Sequence, residues 1–90
     1  MAVNTSESNT GRAIRFLQEV ALDAGKSPWQ RFGATKSMAD LRNEYKVAIE
    51  GANDADRNRY TLKMNQLTEI INIIKNKESN NQLMEIYQQF

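Results

Sequence analysis

The chain has 90 residues, with twelve Lys and Arg against eleven Asp and Glu, 40% hydrophobic and 26% charged residues. That is room for one small domain with a single core. The absence of cysteine excludes disulfide frameworks, thiolate nucleophiles, Fe–S clusters and cysteine zinc sites, and the absence of histidine removes the commonest general base and transition-metal ligand. No apolar run exceeds three residues, as in Val20-Ala21-Leu22, and Met1 to Thr10 lacks the apolar stretch of a signal peptide. The expectation is a cytoplasmic protein that does not cross a membrane. A net charge of +1 gives no bulk drive toward nucleic acid or lipid.

Residues 1–10 read as a flexible polar N-terminus, and 11–90 as one all-α domain. The first helix is expected over about 11–24, with Thr10 as N-cap and Gly25 as a left-handed C-terminal cap. Ala13, Ile14, Phe16, Leu17, Val20, Ala21 and Ala24 fall on an arc of roughly 160°, which predicts a core-facing stripe. Residues 25–36 hold the sole proline, the sole tryptophan and two of the four glycines, and read as an interruption. The second helix is predicted over about 38–50 from a capping pattern at Ser37 and Asp40, with Met38, Leu41, Tyr45, Ala48 and Ile49 inward.

After Gly51 a short turn, with Asn53 or Asp54 as N-cap, opens a third helix over about 54–77. The short connection makes helices two and three antiparallel neighbours. Tyr60, Met64, Leu67, Ile71 and Ile74 follow a 4-3-4-3 spacing, the seam of a helical bundle; its extension would land on Glu78, Asn81 and Glu85, so the seam ends there. Ser79-Asn80-Asn81 reads as a break, followed by a short helix over about 81–90 that presents Leu83, Ile86, Tyr87 and Phe90. The predicted fold is thus a small helical bundle of three main helices and a short C-terminal one.

No catalytic residue is assigned. Asp40 and Glu44 lie one turn apart, but Arg42 and Lys46 beside them mark a solvated face. Asp54, Asp56 and Asn58 imitate the opening of a calcium loop, which then fails at Arg59, where a glycine is needed, and at Asn65, where a glutamate belongs. Gly25-Lys26-Ser27 closes a helix instead of opening one, so it is no phosphate loop. The reading is a non-enzymatic protein with no cofactor and no metal.

Two features point to binding. Leu62, Ile73 and Ala55 fall on the side of the third helix opposite its seam, and Leu22 and Val47 are likewise off-face. A second apolar strip predicts self-association or a protein partner, and so a small regulator, inhibitor or adaptor acting by stoichiometric binding as a homo-oligomer. The alternative is a module that binds a nucleotide or nucleic-acid phosphate. It would use Arg57, Arg59, Lys63 and Tyr60 together with Trp29, Arg31 and Lys36, because guanidinium groups beside aromatic plates hold phosphates and bases. That site requires the two clusters to converge. The overall profile resembles that of small accessory proteins of phages and mobile elements, a likeness of class carried by no motif.

Overall fold

The computed structural model describes residues 9–90, and all its elements are helices: α1 Asn9–Leu22, α2 Pro28–Gly51, α3 Asp54–Lys77 and α4 Asn81–Tyr87. The expected bundle of three main helices and a short C-terminal one is present. Of the polar N-terminal segment, residues 1–8 lie outside the described residues, while Asn9 and Thr10 belong to α1. Thr10 is therefore not its N-cap.

The largest departure lies in residues 25–36, where α2 starts ten residues before the expected position. Ser27 is the N-cap, with φ −67° and ψ 156°. Its hydroxyl accepts the Gln30 N–H at 3.2 Å, and the Gln30 side chain accepts the Ser27 N–H at 3.1 Å. Pro28 holds Ser27 extended, as a proline does to its predecessor, but it occupies the first helical position, where its missing N–H costs nothing. Gly33 lies inside the helix with no positive φ, so neither it nor Ser37 marks a boundary. The preceding turn is closed by Asp23, whose carboxylate accepts the Gly25 N–H at 2.8 Å. Gly25 has no left-handed conformation.

Asn53 caps α3, its side-chain oxygen accepting the Asp56 N–H at 2.9 Å, and Asp54 and Asp56 lie in the first turn, where the helix dipole favours them. Helices α2 and α3 run antiparallel: Arg31 near the start of α2 meets Glu78 just beyond α3, and the Tyr45 ring packs against that of Tyr60 at a tilt, 5.8 Å between centroids. The seam buries Leu67, Ile71 and Ile74 with Ile70, while Met64 and Tyr60 are half-buried. Opposite them lie Ala34, Met38 and Ala39 of α2, Ile14 and Ala21 of α1, and Leu83 and Tyr87 of α4. Leu41, Tyr45 and Ile49 line the same face half-buried, and Ala48 is exposed.

The core occupies only one half of the α2–α3 hairpin. No residue from 40 to 66 is fully buried, and the molecule is flat, 41 × 34 × 17 Å. The apolar stripe of α1 is also wider than the surface that receives it. Ile14, Leu17 and Ala21 pack inward, but Ala13 and Ala24 are exposed and Phe16 is 64% exposed, contrary to expectation. α1 rests on α2 and α3, with Ile14 and Ala21 as its fully buried residues.

Gly33 is a helix-interior glycine where an added Cβ would meet nothing within 4 Å. Gly33→Ala is expected to raise the unfolding free energy by about 1 kcal/mol, the ordinary propensity difference. Ile71→Ala, at a site with no solvent exposure, should lower it by about 2–5 kcal/mol. Urea denaturation followed by circular dichroism reads both.

Candidate functional site

Glu78, the polar residue at which the α3 seam is expected to stop, makes the most consequential contact. Glu78 caps the C-terminus of α3, its N–H reaching the Ile74 carbonyl, yet its side chain turns inward and is 2% exposed. Arg31 Nη1 donates to both carboxylate oxygens, at 2.7 and 2.8 Å, and the Asn80 N–H donates to one of them at 3.0 Å. Asn80 then caps α4 by accepting the Leu83 N–H at 3.1 Å. One carboxylate thus ties α2, the end of α3 and the start of α4 together. Arg31 Nε is buried without a partner.

Two further contacts continue along the same stripe of α2. Thr35 donates to the Arg31 carbonyl at 3.0 Å and lies 3.2 Å from the Tyr87 hydroxyl. Arg42 donates to the carbonyl of Phe90, whose ring stacks on Phe32 at 6.0 Å and on Tyr87 at 5.7 Å. Burial raises the Tyr87 phenol above its ordinary value of 10.0; the Thr35 hydrogen bond opposes this, the Glu78 charge adds to it and the Arg31 charge opposes it.

Pinning α4 in this way leaves a groove between it and the first turns of α2. Its volume is about 390 Å³, and its walls are Pro28, Trp29, Phe32, Leu83 and Ile86, with Asn80 and Gln82 at the edge. Trp29 is 79% exposed and stacks on Phe32 at 5.8 Å, while Ile86 is 37% exposed. Sequence reasoning placed Trp29 in a loop and missed its pairing with Leu83 and Ile86. The Ser27–Gln30 capping box was the signal that placed Trp29 in the first turn of a helix.

The seven residues of the expected phosphate cluster do not come together. Trp29, Arg31 and Lys36 lie at the end of the hairpin where α2 begins and α3 finishes. Arg57, Arg59, Tyr60 and Lys63 lie toward the opposite end; with Arg31 beside Glu78 and Tyr45 beside Tyr60, the two groups are roughly 10–30 Å apart along the hairpin at 1.5 Å per residue. Four of the five cations are paired with acids: Arg31 with Glu78, Lys36 with Asp40 at 2.9 Å, Arg57 with Asp54 at 3.6 Å and Arg59 with Asp56 at 2.9 Å. Arg57 also donates to the Ala52 carbonyl, and the Arg59 guanidinium lies 5.3 Å from the centre of the Tyr60 ring.

The apolar strip of α3 is open. Leu62 is 71% exposed, Ile73 is 40% exposed, and Ala55 is exposed. α4 lies on α2 and does not cover them. Among the described residues no group of three or more acidic side chains could hold a metal ion, and no helix is long and apolar enough to cross a membrane. Comparison with protein-family models, curated proteins and solved structures finds no match.

Removing one partner of a buried ion pair strands the other charge, so Glu78→Gln is expected to cost about 3 kcal/mol or more. The double variant Arg31→Met with Glu78→Leu should recover most of that loss in urea denaturation, because it removes both desolvated charges. Tyr87 gives a second prediction. The folded chain keeps a phenol proton that the unfolded chain releases near pH 10, so this contribution is full below about pH 10 and is lost as pH rises toward the raised folded value. Tyr87→Phe should cost about 1 kcal/mol at neutral pH and flatten the alkaline fall in Tm.

Proposed function

We propose that this chain is a small non-enzymatic regulator, inhibitor or adaptor that acts by stoichiometric binding to a protein surface, and that it self-associates through the outer face of α3. The observation that carries the reading is the exposure of Leu62 at 71% and of Ile73 at 40% on a helix whose opposite side already fills the core. Val47, 68% exposed, adds apolar surface on α2 in the same thinly packed half of the hairpin. Apolar side chains on both sides of one helix fit two packing partners, the chain's own core and another surface. The general profile is one shared with small accessory proteins of phages and mobile elements, and the absence of histidine and cysteine suits a binding role.

A site for a nucleotide or nucleic-acid phosphate has less support. Its two halves lie at opposite ends of the hairpin, and local acids already partner most of its cations. Light scattering across a concentration series tests the leading reading. The wild-type protein is expected to show a mass above the 10.3 kDa of one chain, and Leu62→Glu to return it to that value with helical circular dichroism unchanged. A wild-type mass of one chain at every concentration would remove self-association from the proposal.

A further inference from the structure

We propose that a second copy of this chain docks on the outer face of α3 with its own α3 antiparallel, in a register fixed by ion pairs between Arg59 of each copy and Glu69 of the other. The inference rests on the self-association reading, and adds to it an orientation, a register and the charges that set both.

Spacing defines the surface. Ala55, Arg59, Leu62, Gln66, Glu69 and Ile73 repeat at intervals of 4-3-4-3-4, the rhythm of the inward seam from Tyr60 to Ile74. All six are exposed. At about 100° per residue they fall within an arc of roughly 80°, turned away from that seam. α3 therefore carries two heptad rows: one fills the core, and the other lies open over roughly 27 Å.

Charge names the occupant. Of the acids of α3, Asp54 and Asp56 pair with Arg57 and Arg59. Glu69 has Asn65, Gln66, Asn72 and Ile73 three and four residues to either side, so no cation of its own helix lies one turn away. Among the described residues it makes no ion pair or hydrogen bond. The six positions are also symmetric about Met64, in pairs nine, five and two residues to either side. A two-fold axis at that point gives an isologous contact, in which residue i of one copy meets j of the other and j meets i. Each Arg59 then faces Glu69 of the second copy, Ala55 faces Ile73, and Leu62 lies beside Gln66.

The competing arrangements lose these pairs. A parallel pair in register sets Arg59 against Arg59 and Glu69 against Glu69. An antiparallel pair slid by one heptad brings Leu62 to Ile73 and Asp56 to Lys77 at the rim. It also puts the two Glu69 carboxylates about one turn apart at the centre, with Arg59 opposite Asn76. Both antiparallel registers cover Leu62 and Ile73, and burial is non-directional, so like charges at the centre decide between them. In the preferred register the two Lys63 flank the axis on its solvated edge, where long side chains point apart into water. Arg59 is 65% exposed in its pair with Asp56. Such a pair is worth little and leaves the guanidinium able to turn to an unpaired carboxylate.

Light scattering across a concentration series, with circular dichroism on the same samples, tests the register. Arg59→Glu and Glu69→Arg are each expected to weaken dimerisation at least about tenfold with helical content unchanged. The double variant carrying both should return to the wild-type range, because the exchanged charges again face each other. Glu69→Gln should weaken the dimer less than Glu69→Arg. Dimerisation indifferent to both reversals, no recovery in the double variant, or a tighter dimer with Glu69→Gln would each overturn the proposal, the last by favouring the slid register. A wild-type dimer that Leu62→Glu dissociates and the reversals do not would sink the register alone. A wild-type mass of one chain throughout would sink the register together with self-association.

Discussion

The buried ion pair between Arg31 and Glu78 is the constraint on which the rest of the arrangement turns. Two charges taken out of water are costly unless geometry and further hydrogen bonds compensate. Here the carboxylate accepts from one guanidinium nitrogen and one backbone N–H, and that N–H belongs to the residue that caps α4. The bend between α3 and α4 therefore sits where Glu78 can reach Arg31, and the chain beyond it is directed back over α2. Thr35 and Arg42 then meet Tyr87 and Phe90 along one stripe of the same helix. A seven-residue helix is too short to be stable by itself, so α4 owes its place to these contacts and to the burial of Leu83 and Tyr87.

Much of this fold was legible in the sequence where periodicity and packing agree. The spacing from Tyr60 to Ile74 located α3 and its inward face, and the short connection at Ala52 and Asn53 required an antiparallel hairpin. Residues 25–36 read as an interruption because proline and glycine commonly break helices. Their effect depends on position: Pro28 opens a helix, and Gly33 is accommodated inside one that packing stabilises from both sides. Phe16 was misplaced for another reason. An apolar arc shows that a helix has an inward side, but only the neighbouring helices decide which part of the arc they cover.

The candidate site was legible only in fragments. The seam spacing ends on Glu78, which pairs with Arg31, but the two stand 47 residues apart in sequence and no local pattern joins them. The phosphate cluster failed on distance. Cations grouped in sequence share one end of a helix, and two such groups meet only when the topology brings those ends together. In an antiparallel hairpin the start of α2 lies beside the end of α3, which separates Arg31 and Lys36 from Arg57, Arg59 and Lys63. Lys36, Arg57 and Arg59 then each find an acid three or four residues away, the cheapest partner a helix offers.

The two ends of the hairpin are consequently different surfaces. At the clasped end, four helical segments meet around a compact core, and Trp29 stands on a rigid first turn fixed by a capping box and by Phe32. At the open end, two helices face each other through Tyr45 and Tyr60 alone of the large rings, with no residue fully buried between 40 and 66. Rigid elements hold a surface in one geometry, and the clasped end is built of them. The open end has the opposite character. Its exposed Leu62 and Val47 stand on the outer flanks of α3 and α2, and the self-association proposed above would add core where the chain alone is too thin to supply it.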